Sequence, residues 1–110
     1  MCRALKVLCV APDREALSEL KRAAVSADWE LAAGAVSQEE ALAQLDAERP
    51  HVVVVVGPGA ETVVAAIRQR RPYVRIVADR DLPGATVVAA SLAEVRGAVK
   101  GLPRPGGPVG

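Results

Sequence analysis

The sequence predicts an α/β domain in which helices cover both faces of a doubly wound, five-stranded parallel sheet. Residues 51–56 read HVVVVV, and this run of β-branched residues between Pro50 and Gly57 favours a strand buried on both faces. Strand patterns alternate with helical patterns along the chain. The length of 110 residues suits one domain with a real core. Right-handed crossovers then favour the strand order 2-1-3-4-5.

The first strand and helix are predicted from residues 5–26. LKVLCV at 5–10 has the apolar, β-branched character of a buried strand. Asp13 is placed to cap a helix that runs to about Ser26. Helical spacing assigns three residues of this helix to the core: Leu17, Leu20 and Ala24.

A second, weaker strand is predicted over residues 31–36, LAAGAV, after a turn at residues 28–30. Trp29 in that turn is expected to cover the edge of the sheet. Ser37 and Glu40 have the spacing of a capping box, which predicts a helix ending at Arg49. Its expected core residues are Ala41, Leu42 and Leu45.

The valine strand leads through Gly57-Pro58-Gly59 into a third helix, predicted over residues 60–71 and ended by Pro72. Its expected core residues are Ala60, Val63, Val64 and Ile67. A fourth strand is predicted at residues 73–77 and a short fifth one at 86–89.

Ser91 and Glu94 form a second predicted capping box, followed by a last helix. Leu92, Val95, Val99 and Leu102 recur in it at helical spacing. We therefore assign residues 1–102 to the domain. Residues 103–110, PRPGGPVG, have no pattern that could order them and are predicted to be a flexible linker or tail.

One connection is too short for the usual crossover. Parallel strands are normally joined by a dozen or more residues. Residues 78–85 supply only about eight, with Pro83-Gly84 among them and no helical pattern. Eight extended residues span roughly 26 Å, which is enough to return along a short strand. The fourth crossover helix is therefore predicted to be shortened or missing.

Composition argues against several classes of function. The formal net charge is +1 and aromatic residues make up 2% of the chain, which disfavours nucleic acid and anionic membranes as partners. We see no signal peptide and no apolar run of membrane-spanning length. Cys2 and Cys9 are too few for a disulfide framework and fit a reducing compartment. We expect a cytoplasmic protein.

The pattern resembles the receiver domain of bacterial two-component response regulators, over about residues 5–102. KVLCVAPD matches the family's opening strand. ADWELAAGAVSQEEALAQLDAERPHVVVVV is similar to its second strand, second helix and central strand. The resemblance implies a flavodoxin-like fold and a role in signalling.

The residues that carry phosphotransfer in that family differ here. Receivers use an acidic pair with an acceptor aspartate to hold magnesium, then a Ser/Thr and a lysine that contact the phosphoryl group. The corresponding positions hold Ala11 and Pro12, Val56, Ala78, and Ala90 or Ser91. Valine has no nucleophile, and Asp13 alone is a poor ligand set for magnesium. The resemblance therefore implies an atypical pseudo-receiver, without cofactor or metal and without enzymatic activity.

Three classes of function follow, and we prefer the first. In the first class, the chain is a non-catalytic, phosphorylation-independent signalling or protein-interaction module. Alternatively, it binds a small ligand through the rim at the carboxyl ends of the strands. An unusual enzyme is the third class, disfavoured by the replaced residues. The candidate ligand rim consists of Asp13, Gly57, Gly59, Asp79 and Asp81.

Several features have both a structural and a functional interpretation. Gly57-Pro58-Gly59 suits a tight turn better than a phosphate cradle, because Pro58 removes one amide donor. The aspartates of the rim suit a solvated loop better than a cation site. His51 lies at the opposite edge of the sheet from a receiver-like site. Five arginines form either a basic patch or a group of cations that favour a helix carboxyl terminus: Arg68, Arg70, Arg71, Arg75 and Arg80.

The missing helix also predicts an interaction surface. It would leave one face of the fourth and fifth strands covered only by the polar loop at residues 78–85, a poor cover. That face carries either Val74, Ile76, Thr86 and Val88, or Tyr73, Arg75, Val77, Val87 and Ala89. The resemblance implies signalling through the same region. We expect a protein partner or a second copy, giving a homodimer, to bind at Leu82, Val87, Arg96 and Lys100.

Overall fold

The computed structural model describes residues 5–101, which form one sheet and four helices. The strands are β1 (Leu5–Val10), β2 (Trp29–Leu31), β3 (Val52–Val55), β4 (Arg75–Ala78) and β5 (Val87–Val88). The helices are α1 (Arg14–Ala24), α2 (Gln38–Glu48), α3 (Ala60–Arg70) and α4 (Leu92–Lys100). Every neighbouring pair is parallel, and the order β2-β1-β3-β4-β5 confirms the predicted fold class. Cys2, Leu102 and the predicted tail at 103–110 lie outside the described residues.

β3 is the centre of the sheet, as predicted, and its four valines are at most 1% exposed. Successive side chains of a strand point to opposite faces. Val53 and Val55 therefore join the layer formed with α2 and α3. Val52 and Val54 join the layer formed with α1 and α4. Burial of both faces explains why the strand is apolar without alternation.

Two of the three predicted helix caps form. Asp13 Oδ1 accepts a hydrogen bond from the Ala16 amide at 2.8 Å. Ser37 Oγ accepts one from the Glu40 amide at 3.2 Å. Ser91 is the N-cap residue of α4, as predicted, but its capping box does not form, because the Glu94 amide donates to the Ser91 carbonyl oxygen at 3.0 Å instead of the hydroxyl. The Ser91 hydroxyl donates to Glu94 Oε2 at 3.2 Å.

Most of the predicted core residues of the helices are buried, with four exceptions. Leu17, Leu42 and Val63 are only half-buried at the margins of the two layers. Leu92, the first residue of α4, is 38% exposed. Among residues 5–101, no helix is both long and apolar enough to cross a membrane.

The position of the second strand was predicted wrongly. β2 begins at Trp29, which was expected in a turn, and residues 32–36 contribute only a single bridge between Ala35 and Val10. Burial of the tryptophan ring explains the difference, since Trp29 is 6% exposed and its Nε1 donates to the Ala24 carbonyl oxygen at 2.7 Å. Gly34 then takes a φ of 93°, which ends the extended run.

The connection between β4 and β5 contains no helix, as predicted, but its loop is not a poor cover. Leu82 is 6% exposed and packs in the α2/α3 layer with Val74 and Ile76. The prediction of an open apolar face is therefore wrong for β4, which Leu82 covers in place of a helix, whereas Val88 of β5 on the same face is 41% exposed. Val87 lies on the other face, half-buried against the α1/α4 layer.

Candidate functional site

The loops that follow β1, β3, β4 and β5 meet at one edge of the sheet, where a receiver-like site would lie. We call this the carboxyl edge, comprising residues 11–13, 56–59, 79–81 and 89–91. Val56 follows the last residue of β3, and its amide donates to the Val10 carbonyl oxygen at 3.1 Å. Its half-buried side chain packs in the α1/α4 layer. The position that the resemblance assigns to a phosphoacceptor thus carries a methyl-terminated side chain.

Pro12 packs directly against Gly57 at the centre of this edge. Gly57 has a φ of 88°, a conformation that favours glycine. A Cβ added there would lie 2.7 Å from both Cδ and Cγ of Pro12. The pyrrolidine ring therefore covers the backbone beside Val56, at a position where receivers carry an acidic side chain.

Asp79 and Arg80 bind the backbone of the same glycine. Asp79 Oδ2 accepts a hydrogen bond from the Gly57 amide at 2.9 Å. Arg80 Nη2 donates to the Gly57 carbonyl oxygen at 3.2 Å, and its Nη1 pairs with Asp79 Oδ1 at 3.0 Å. The loop after β4 thus holds the loop after β3 through a closed ring of three interactions. The sequence offered no signal for this arrangement.

The carboxylates of the predicted ligand rim do not converge on one point. Asp13 caps α1, and both oxygens of Asp79 accept hydrogen bonds. Asp81 is exposed, while Gly59 begins α3 with a φ of 83°. Within residues 5–101, no group of three or more His, Cys, Asp or Glu side chains lies close enough together to hold a metal ion.

The hollows beside these loops are small and mainly apolar. One of about 300 Å³ lies between Pro12, Val56, Asp79 and the start of α4. Another of about 280 Å³ lies on the other side of Val56, next to Pro58 and Val63. The first hollow is lined by Ser91 and Asp79, but the Ser91 hydroxyl donates to Glu94 and both Asp79 oxygens accept hydrogen bonds from Gly57 and Arg80. The second is lined by no titratable side chain. Cys9, the next-to-last residue of β1, is 1% exposed, and burial raises the pKa of its thiol to about 12, although Lys21 acts in the opposite direction. A buried thiol with a raised pKa is a poor nucleophile.

The arginines divide between the two interpretations of the sequence. Arg68 has a local role, since its guanidinium donates to the carbonyl oxygens of Pro72, Val74 and Gly84 and to Thr86 Oγ1, at 2.5–3.1 Å. Arg80 donates a hydrogen bond to the Gly57 carbonyl oxygen. Arg70, Arg71 and Arg75 lie together at the opposite edge of the sheet. His51 is at that edge too, as predicted, and its Nδ1 accepts from the Lys6 amide at 3.0 Å.

The sequence matches no protein-family model, and it matches no curated protein. Its fold is similar to that of HP1043, an orphan response regulator of H. pylori, with a TM-score of 0.67 and 14% identity over 87% of this chain and 93% of that one. The signal receiver domain of an HD domain-containing protein from Pseudomonas fluorescens Pf-5 gives a TM-score of 0.67 and 20% identity, over 89% and 96%. The response regulator domain of Thermotoga maritima CheB gives 0.58 and 22%, over 88% and 75%. The chain therefore has a receiver-like fold.

Proposed function

We propose that this chain is a receiver-like signalling module that works without phosphorylation, by binding another protein. The observation that carries the proposal is the carboxyl edge, where Val56 stands in the acceptor position with Pro12 packed against Gly57. Phosphotransfer to a receiver needs a carboxylate nucleophile and a magnesium ion that neutralises the incoming phosphoryl group. Asp79 is the carboxylate nearest Gly57, and both its oxygens already accept hydrogen bonds.

Incubation with acetyl phosphate and magnesium tests the first half of this proposal. We expect the intact mass to stay unchanged, because the site has neither a nucleophile nor a converging set of carboxylates. The matched variant is Val56→Asp, which restores the acceptor and asks whether the surrounding loops permit transfer. A gain of one phosphoryl group on the wild-type chain, at Asp79 or elsewhere on the carboxyl edge, would contradict phosphorylation independence.

The binding surface that we propose lies on β5 and the outer side of α4. Two apolar side chains are exposed here: Val88, on the edge strand β5, is 41% exposed, and Leu92, the first residue of α4, is 38% exposed. Arg96 follows Leu92 by four residues, and Lys100 follows Arg96 by four, so the three form one row along α4. Lys100 also pairs with Asp28 at 3.3 Å. Of the other two residues predicted for the interface, Val87 is half-buried in the layer that includes α4, whereas Leu82 is buried in the α2/α3 layer.

Charged substitutions test this surface. Val88→Asp combined with Leu92→Asp removes the apolar pair, and Arg96→Glu with Lys100→Glu reverses the charge of the row. We expect both double variants to stay folded and to lose partner binding, or self-association if the partner is a second copy. Light scattering after size-exclusion chromatography measures the latter. Val25→Asp is the control, because Val25 is 54% exposed and lies after α1. Double variants that retain wild-type association would place the interface elsewhere.

The alternative, a small ligand bound at the carboxyl edge, has weaker support. The Asp13 and Asp79 carboxylates are already used to hold backbone amides. A thermal-shift screen with nucleotides and small anions distinguishes the two, because a ligand that binds only the native state raises the melting temperature. A ligand whose stabilising effect disappears in Asp79→Asn would favour the alternative.

A further inference from the structure

A basic cleft lies at the edge of the sheet opposite the carboxyl edge. Its volume is about 530 Å³, and it lies between the last residues of α2 and α3 and the segments that lead into β3 and β4. We call this the amino edge, comprising residues 49–51 and 70–75. No carboxylate lines the cleft, although the whole chain has 13 acidic residues and a net charge of only +1. Its charged lining residues are Arg49, Arg70, Arg71 and Arg75.

The four arginines are of two kinds. Asp46 holds two of them, with its Oδ2 2.7 Å from Arg70 Nη1 and its Oδ1 3.5 Å from Arg71 Nη2. Arg49 and Arg75 make no ion pair with any residue between 5 and 101. The cleft therefore has two guanidinium groups fixed by a carboxylate and two whose donors are available to a ligand.

A preference of cations for helix ends accounts for only part of this arrangement. Arg70 lies in the last turn of α3, and Arg49 and Arg71 are the C-cap residues of α2 and α3. Arg68 already meets the carbonyl oxygens beyond α3. Arg75 is on a strand. Arg49 is the one non-glycine residue with positive φ in the described part of the chain, at 48°, and it directly precedes Pro50. A helix usually has glycine at such a position. Local structure does not explain why an arginine occupies this conformation, which favours a role for its side chain in the cleft.

Two ring side chains complete the lining. Tyr73 is 94% exposed, so its aromatic face is available beside the arginines. His51 accepts a hydrogen bond at Nδ1 from the Lys6 amide, which leaves Nε2–H as the donor of the neutral ring. Guanidinium forks match phosphate oxygens in two-point contacts, and an exposed aromatic ring suits stacking against a planar base.

We propose that the amino-edge cleft binds a small phosphorylated ligand of nucleotide size. Arg49 and Arg75 would contact the phosphate oxygens, and Tyr73 would stack on the base. The volume lies in the range of small-molecule sites, roughly 300–1,000 Å³, and is larger than one inorganic phosphate requires. A nucleic acid strand fits less well, because the chain is nearly neutral and the cleft contains only four of its 14 basic residues.

Isothermal titration calorimetry with ADP at low ionic strength tests this proposal. We expect wild-type binding that weakens about tenfold in Arg49→Gly and in Arg75→Gln, the effect of losing one charged hydrogen bond. Tyr73→Ala should weaken the binding of ADP and leave that of pyrophosphate unchanged. Arg22→Ala is the matched control, because Arg22 is an exposed arginine on α1 outside the cleft. Glycine suits the conformation of residue 49, so Arg49→Gly should not lower the melting temperature, and weaker binding by this variant would report the loss of the guanidinium.

Four outcomes would overturn the proposal. The first is no binding of ADP by the wild-type chain at millimolar concentration. The second is equal weakening by Arg22→Ala, which would indicate unspecific charge attraction. The third is equal affinity for ADP and pyrophosphate, which would show that the base makes no contact and that the cleft binds only an anion. A glutamate-rich peptide that binds more tightly than ADP would assign the cleft to an acidic protein segment.

Discussion

The two edges of the sheet are built from the same kinds of loop and differ in nearly every chemical respect. At the carboxyl edge, an aspartate and an arginine are used to bind the backbone of Gly57, and a proline ring packs on it. At the amino edge, four arginines surround a cleft that no carboxylate lines. In open α/β folds the carboxyl edge usually carries the chemistry. This chain has a receiver-like fold in which hydrogen bonds and packing occupy that edge, and the ligand site that we propose lies at the other edge.

Both edges depend on the central strand β3, and disrupting this strand should cause the largest loss of stability. Val54 is fully buried in the middle of the strand. Val54→Asp would bury an unpaired carboxylate and cost several kcal/mol, comparable to the total stability of a small domain, about 5–15 kcal/mol. We expect unfolded or insoluble protein by circular dichroism. Val88→Asp is the control, since Val88 is on the exposed side of β5, and it should stay folded.

Gly57→Ala tests how tightly the carboxyl edge is closed. Its Cβ would lie 2.7 Å from two ring atoms of Pro12, at a positive φ. We expect a loss of about 2–4 kcal/mol in the free energy of unfolding, measured with urea. Gly59→Ala separates the two causes, because Gly59 has nearly the same φ but a Cβ there would meet nothing within 4 Å. It should lose only about 1–2 kcal/mol. Equal losses would mean that Pro12 does not close the edge.

Asp79→Ala tests whether the aspartate at this edge is structural. The Gly57 amide would lose its acceptor and Arg80 its ion-pair partner, at a cost of about 1–2 kcal/mol. Asp81→Ala should leave the unfolding free energy unchanged, because Asp81 is exposed and forms no ion pair within the described chain. If Asp79→Ala were neutral as well, the link between the two loops would contribute nothing to stability.

The smallest effect is expected at the amino edge, where Arg49 occupies a conformation that favours glycine. Arg49→Gly should raise the free energy of unfolding by about 0.5 kcal/mol, since relief at positive φ exceeds the greater freedom of glycine in the unfolded chain. Arg49→Ala keeps the strain and should be about 1 kcal/mol less stable than the glycine variant. A destabilised glycine variant would show that the arginine contributes to the fold itself.

The sequence was sufficient for features that depend on local patterns. β3, the strand order, the Asp13 and Ser37 caps and the missing fourth helix were all predicted, because they follow from hydrophobic periodicity, cap spacing and loop length. It was insufficient where a distant contact decides. The second strand begins earlier than predicted because Trp29 is buried and its Nε1 donates to the Ala24 carbonyl oxygen at the end of α1. Leu82 covers the β4 part of a face that the polar loop was expected to leave open.

The candidate site could be predicted only in outline. The residues at the receiver-like positions were read directly from the sequence, whereas the ring of contacts from Asp79 and Arg80 to Gly57 joins residues more than 20 positions apart. The five arginines could not be divided in advance either, because the four acceptors of Arg68 are known only from the folded backbone. The number of arginines in a segment does not distinguish a guanidinium that binds carbonyl groups from one that lines a cleft.

Amide chemical shifts during a titration with magnesium and acetyl phosphate test the central claim most directly, because they monitor the carboxyl edge residue by residue. If this edge is closed, the amide chemical shifts of Val56, Gly57 and Asp79 should stay unchanged at millimolar concentrations of both reagents. Saturable shifts confined to these amides would show a working phosphoryl or magnesium site and would contradict the claim that the chain signals without phosphorylation.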